Sequence, residues 1–249
     1  FKSLGDGVIS SHVVLSNFNA NSIIGDMDEY GNYYLLINHS FPISFKNTTV
    51  QQNNPPTAAN TLVKMKPDGN LIWYKQSVGP LLPYDFYLNK NGITIVGAFS
   101  DSLSWQGQSI YQSEFGNFSD FDGFLANINH NGEVKYLKQI PEQAFEIDKS
   151  VPTENGIYIA GNYDSLLILG DDTLYENPQS LTNKSSDAFV SLLDTSGNFV
   201  WSQNLGCSSN QVLHDITYNS INKEVLLWGV YFASPDIGPI ITGTSLVFF

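Results

Sequence analysis

The stretch Asp187-Ala-Phe-Val-Ser-Leu-Leu-Asp-Thr-Ser-Gly197-Asn-Phe-Val-Trp201 runs from a strand-length apolar segment into a polar turn and out into a second apolar segment. That order is the signature of a β-hairpin. It returns in Asp122-Gly-Phe-Leu-Ala-Asn-Ile-Asn-His-Asn-Gly132-Glu-Val-Lys-Tyr136 and, one residue shorter before the turn, in Leu62-Val-Lys-Met-Lys-Pro-Asp-Gly69-Asn-Leu-Ile-Trp73. Adding Gly7, the turn glycines stand at 7, 69, 132 and 197, separated by 62, 63 and 65 residues. A second series, Gly31, Gly92 and Gly156, keeps the same phase at 61 and 64 residues, and each member precedes another apolar run. In the fourth copy this turn is Asn219-Ser-Ile-Asn-Lys223, where Asn is available for a positive φ. Two markers held in one phase identify a tandem repeat.

Each repeat holds about four short strands, and no window keeps a helical i, i+3, i+4, i+7 stripe over three turns. The chain therefore reads as all-β. A small sheet cannot bury both of its own faces, so neighbouring copies must stack. Radial stacking gives a β-propeller of four-stranded blades, with repeats at about 1–60, 61–121, 122–186 and 187–244 and the start of a further strand at 245–249, all within one domain. The strands expected nearest the axis are Ser22–Asp26, Asp85–Asn89, Phe145–Lys149 and Leu213–Tyr218. Trp73, Tyr136 and Trp201 share one position and are expected to anchor neighbouring units, whereas Ser11 holds that place in the first repeat.

The string from Ser186 to Gly206, with Gly156-Ile-Tyr-Ile-Ala-Gly-Asn-Tyr-Asp-Ser-Leu-Leu-Ile-Leu-Gly-Asp-Asp-Thr-Leu174, resembles the bacterial propeller repeat often called the seven-bladed β-propeller repeat. The resemblance covers nearly the whole chain. It implies a propeller from a secreted or cell-surface protein of Bacteroidetes-type bacteria, and it implies no particular chemistry. Residue 1 and residues 245–249 fall at nearly the same phase of the repeat. Either the strand around Val8–Leu15 closes a ring with Leu246–Phe249, or the chain is a stretch of a longer propeller; the second expectation is the favoured one.

Composition agrees with export. Charged residues make up 14% of the 249 positions, against ~25% in typical globular proteins. Twenty-four Asp and Glu against eleven Lys and Arg give a net charge of −13 with no basic stripe, which argues against nucleic-acid binding. No apolar segment reaches the length of a membrane-spanning helix. Cys207 is the single cysteine, and His12, His39, His130 and His214 show no zinc-ligand spacing.

Three carboxylates are candidate ligand-binding residues. Asp85, Asp148 and Asp215 lie seven or eight residues before the second turn, on or beside the inner strands, while Ile24 takes that place in the first repeat. Converging at an axial channel they could hold a cation, or serve as acid and base on a sugar at ~5–10 Å separation. No cofactor is expected. Asp26, Asp28, Asp120 and Asp122 are weak Ca2+ candidates, two-apart carboxylates before a glycine that lack the distant bidentate Glu of a calcium loop. The spans 39–60, 100–121, 163–186 and 232–244, rich in Asn, Ser, Gly and Pro, are the expected binding loops. The leading expectation is a non-catalytic module that binds a protein or glycan, or spaces domains. The alternative is a carbohydrate-active hydrolase or lyase using channel-mouth carboxylates. A feature confined to one repeat would mark a site, whereas equivalent side chains in every repeat mark scaffold.

Overall fold

Runs of β-branched and aromatic residues, each ended by a turn, become strands, and among the described residues no helix forms. The computed structural model describes residues 20–53, 58–112, 121–140, 145–163, 166–175, 186–206, 211–231 and 246–248. The first sheet holds β1 (Ala20–Met27), β2 (Tyr33–His39), β5 (Ala59–Met65) and β6 (Leu71–Val78), with the short hairpin β3 (Ile43–Ser44) and β4 (Thr49–Val50) between β2 and β5. The second holds β7 (Leu81–Asn89), β8 (Gly92–Phe99), β11 (Asp122–Ile128) and β12 (Val134–Ile140); the hairpin β9 (Ser102–Trp105) and β10 (Gln108–Tyr111), between β8 and β11 in the chain, pairs through β9 with β6 and extends the first sheet to six strands. The third holds β13 (Phe145–Pro152), β14 (Ile157–Tyr163), β17 (Asp187–Leu193) and β18 (Phe199–Asn204), with β15 (Leu166–Leu169) and β16 (Asp172–Tyr175). In the fourth, β19 (Gln211–Asn219) and β20 (Glu224–Tyr231) pair with β21 (Leu246–Phe248).

All pairings are antiparallel except the last, where Val225 to Leu227 run parallel to Leu246 to Phe248. β21 therefore does not repeat the antiparallel role of β5, β11 and β17, although its sequence aligns with β5. Val8–Leu15, expected as its closing partner, lies outside the described residues. The sheets also straddle the repeat boundaries. Setting aside the hairpin β9–β10, each of the first three sheets takes two strands from one repeat and two from the next.

The turns explain the first glycine series. Asp194 N–H donates to the Asn198 carbonyl and Gly197 N–H to the Asp194 carbonyl, with Gly197 at φ 78°. Lys66–Asn70 and Asn129–Glu133 repeat this pattern around Gly69 and Gly132, and so does Asp28–Asn32 around Gly31. Asp194 Oδ1 also accepts from Ser196 N and Asn198 N, at 2.8 and 2.9 Å. These bonds, led by that of the Asn198 backbone, hold the Asp194 carboxyl below its ordinary 3.8. A lowered carboxyl stabilises the fold above the ordinary value, and the contribution fades as pH falls through the folded one. In the second sheet Asn129 fills this position uncharged, its Oδ1 accepting from Asn131 N and Glu133 N. Asp194→Asn is thus expected to keep the turn, and its melting temperature should fall less than that of the parent on acidification from about pH 5 to about pH 2. Equal falls would show that this carboxylate adds nothing to the turn.

Burial follows the repeat. β5, β11 and β17 share one pattern in which six of seven residues are buried, so these strands are covered on both faces. Antiparallel sheets commonly leave one face to water. Here the second face is covered by the next sheet. Tyr34, Leu36 and Leu62 pack with Ile93, Ile95 and Phe124 across the first junction. Val96 and Leu125 meet Ile147, Ile159 and Phe189 across the second, and Ala160 and Val190 meet Leu213, Ile216 and Leu227 across the third. The edge strands β1, β7, β13 and β19 touch in succession.

Two of the three expected aromatic anchors sit on the turn of the following sheet. A Cβ at Gly132 would come within 2.9 Å of the Trp73 ring, and one at Gly197 within 2.7 Å of the Tyr136 ring. Trp73 Nε1 donates to the His130 carbonyl at 3.2 Å, and Tyr34 meets the indole edge-on at 6.0 Å. Trp201 meets Tyr158 of its own sheet edge-on at 5.9 Å and packs against the cluster that joins the third and fourth sheets. Ser11 lies outside the described residues. Trp73→Ala is expected to cost about 3 kcal/mol, the low end for a large aromatic because the ring is only partly buried. A chemical-denaturation midpoint unchanged from the parent would remove the anchoring role.

Three of the spans expected as binding loops hold strand hairpins. Within them Ile43, Phe45 and Val50, then Leu103, Trp105 and Ile110, then Leu167, Leu169 and Leu174, are buried core residues on the inward faces of three hairpins. Short alternating strands with polar outward residues look like loops by composition, yet their inward residues fill the core. The span 232–244 lies outside the described residues.

These hairpins also cover sheet edges. Asn47 Nδ2 donates to the Leu71 carbonyl at 3.1 Å while its Oδ1 accepts from Leu71 N at 2.9 Å. On β12, Gln108 Nε2 donates to the Val134 carbonyl at 3.1 Å and its Oε1 accepts from Leu137 N at 2.9 Å. Gln106 makes a similar pair of bonds to Gly132 and Val134. A side-chain amide presents the same donor and acceptor as a backbone peptide, so it satisfies the backbone of a strand where no further strand pairs, as at Leu71, while β9 pairs with β6 only at Ser77 and Val78.

Candidate functional site

Asp148 does not share the register position of Asp85 and Asp215. In the second, third and fourth sheets the edge strand carries a β-bulge opposite a glycine, with Pro83, Ile147 and Leu213 facing Gly97, Gly161 and Gly229. Register then resumes with Asp85 opposite Val96, Lys149 opposite Ala160 and Asp215 opposite Trp228. Asp148 is thus a bulge residue, equivalent to Tyr84 and His214, and a lysine stands where the third carboxylate is expected. Ile24, opposite Leu36, holds this place in the first sheet. Asp85 Oδ2 accepts from Ser150 N at 2.8 Å and Ser150 Oγ at 3.1 Å, tying β7 to β13. Asp215 Oδ1 accepts from the adjacent Ile216 N at 2.9 Å.

The weak calcium candidates are placed as follows. Asp28 Oδ1 accepts from Tyr30 N and Asn32 N within its own turn, and Oδ2 from Asn32 Nδ2 at 2.9 Å, with Lys64 Nζ 3.8 Å away. Asp26 Oδ1 accepts from the neighbouring Met27 N. Asp122 is buried and accepts from Gln139 Nε2 at 2.6 Å, a strand-to-strand tie that Asn204 repeats toward Asp187 in the third sheet. Asp120 lies outside the described residues, as do Cys207 and His12. Among the described residues no three His, Cys, Asp or Glu side chains gather as a metal would need. His39 is buried, with Nδ1 2.7 Å from the Phe41 carbonyl and Nε2 2.7 Å from Thr61 Oγ1. His130 Nδ1 meets Tyr34 Oη at 3.2 Å.

One junction departs from the repeat. On the first-sheet face that meets the second sheet, the apolar row through Leu36 and Leu62 gives way, two residues along, to a polar row of Asn38, Asn60 and Ser77. The corresponding row is Ala98, Gly123 and Ile140 in the second sheet and Asn162, Ala188 and Leu205 in the third. Asn21 Nδ2 donates to Asn38 Oδ1, and Asn38 Nδ2 to Asn60 Oδ1, both at 2.7 Å. The chain of amides ends at the Gly79 carbonyl, 3.5 Å from Asn60 Nδ2. Asn53 Nδ2 donates to the Ser77 carbonyl at 2.9 Å. Ser77 is 2% exposed, and its Oγ has no hydrogen-bond partner among the described residues.

Beside this row lies a cleft of about 380 Å3, lined by the polar row, Asn53 and Ser100 together with Val78, Pro80, Leu81, Leu82 and Phe121. Among the described residues no Asp, Glu, Lys, Arg or His lines it. Clefts of ~300–1,000 Å3 with apolar walls and a few placed polar groups are the usual form of a small-molecule site. The sequence offered one missed signal: Asn38, Asn60 and Ser77 are polar where the other repeats place mostly small or apolar residues.

A scan of the chain against protein-family models finds no match, and neither does a search of the curated proteins. Among the described residues no helix is long and apolar enough to cross a membrane.

Proposed function

We propose that the chain is an exported, non-catalytic β-propeller module whose sheets are blades around an axis. It binds a protein or glycan partner, or spaces the parts of a larger bacterial protein. The succession of touching edge strands supports the radial arrangement, since the strands nearest an axis must be neighbours. The resemblance to repeats of secreted and surface proteins, with the low charge density, supports export.

The engagement of Asp85 carries the non-catalytic reading. Its carboxylate holds the backbone and hydroxyl of Ser150 on the next sheet, the role of a structural tie. A glycosidase needs two carboxyl groups facing each other across a sugar at ~5–10 Å, one of them able to take up and release a proton. The test is incubation of the intact chain with a panel of bacterial and plant polysaccharides, read for new reducing ends or unsaturated products, alongside binding to the same panel and to surface-protein fractions. Binding without cleavage is expected. Cleavage that disappears in Asp215→Asn would replace this reading with the hydrolase or lyase.

A further inference from the structure

We infer that the cleft between the first and second sheets is a binding site for an uncharged, hydroxyl-rich ligand, one ring or a short stretch of a neutral saccharide. This assignment rests on the binding-module reading above and names its site and ligand class.

The polar row supplies the first reason. Hydroxyl pairs on a sugar ring are matched by side-chain amides, which offer donor and acceptor side by side. Asn38 and Asn60 are fixed in orientation by the amide chain from Asn21 to Gly79, so they are pre-organised. Asn38 Nδ2 uses one of its two hydrogens on Asn60, and each amide oxygen retains acceptor capacity.

Ser77 supplies the second. A buried hydroxyl left without a partner costs ~1–3 kcal/mol. Its counterparts Ile140 and Leu205 in the second and third sheets carry no such group. Ser77 is among the residues that line the cleft, and a ligand hydroxyl reaching its covered Oγ would satisfy it.

Charge and shape supply the third. With no ionisable side chain among the described lining residues and −13 on the whole chain, an anionic ligand finds no cationic partner there and meets a repulsive field. The wall of Val78, Pro80, Leu81 and Leu82 offers apolar surface to the C–H face of a sugar ring. Because the row occurs at one junction, one site per chain is expected.

The test is calorimetric titration of the intact chain with neutral monosaccharides and their disaccharides, and with the matching uronic acids. Saturable binding of a neutral sugar at one site per chain is expected, at least tenfold tighter than that of its uronic acid. Ser77→Ala removes the orphan hydroxyl without adding bulk, and Leu82→Trp places bulk at an exposed position of the wall. Each should weaken binding at least tenfold with the melting temperature of the sugar-free protein held within a few degrees. Absence of binding by every neutral sugar up to about 10 mM overturns the proposal, as does binding that both variants leave unchanged. Undiminished sugar binding in both variants moves the site elsewhere and leaves the module reading standing. Cleavage of the sugar counts against the module reading, whatever the variants do to affinity.

Discussion

Gly156→Ala is expected to unfold the third sheet or to lower its stability by on the order of 3 kcal/mol or more. Gly156 adopts φ 154°, and an added Cβ would lie 1.9 Å from the Leu193 carbonyl oxygen and 3.2 Å from the Asp194 Cα. Both atoms belong to backbone that is paired in the sheet, so neither can swing aside as a side chain could. Relief requires β14 and β17 to part at Ile157 and Leu193, the end of their ladder beside the Asp194 turn. The check is a denaturant midpoint with circular dichroism of the variant. Gly107→Ala provides the contrast, because there φ is 83° but nothing lies within 4 Å of the new methyl. That change should cost only the backbone strain, ~1–2 kcal/mol. Equal losses in the two variants would show that the close approach at Gly156 is not what requires glycine.

Trp105→Ala should lower stability by about 3–5 kcal/mol. The indole is completely buried and heads the fully buried side chains by volume. It joins one core cluster with Leu36 and Leu62 of the first sheet and Ile93 and Phe124 of the second. Its strand pairs with β6 through Ser77 and Val78, so the cavity would open where two sheets and a hairpin meet. The indole Nε1 has no hydrogen-bond partner among the described residues. Trp105→Phe therefore removes an unsatisfied donor while keeping a ring, and a loss of less than half that of the alanine variant is expected. Thermal melts of the two variants with the parent measure the difference. A loss near zero in Trp105→Ala would place the hairpin outside the cooperative unit.

These two residues also mark how far the sequence could be read. Gly156 was legible because a turn that needs an unusual φ must keep a permissive residue, and the sixty-odd-residue spacing made its role visible. Gly31 belongs to the same series by spacing, yet it folds as the Asp28–Asn32 turn with φ 81°, so one spacing conceals two geometries. Trp105 was not legible. Ser102-Leu-Ser-Trp105 offers only two cycles of alternation, too few to separate a half-buried strand from a polar loop.

The carboxylates show the same limit from another direction. Spacing placed Asp85, Asp148 and Asp215 together, but Asp85 stands seven residues before its glycine and Asp148 eight, so Asp148 falls on the extra residue of a bulge that all three strands share. Gly97, Gly161 and Gly229, each opposite a bulged segment, were a readable sign of it, and Ile37 stands at that place in the first sheet. There the irregularity falls instead between Ala20 and Ser22, close to the amide chain. Asn38, Asn60 and Ser77 could not be joined from sequence, because only cross-strand register brings the three side by side.

The amides of Asn47, Gln106 and Gln108 have a consequence for the company the molecule can keep. A bare outer strand is a template on which a stranger's backbone can zip, the first step toward fibrils. Here short side chains occupy those vacancies and end the pattern, because an amide can be joined but cannot be extended. Molecules rimmed in this way can crowd together at high density without knitting into a common sheet.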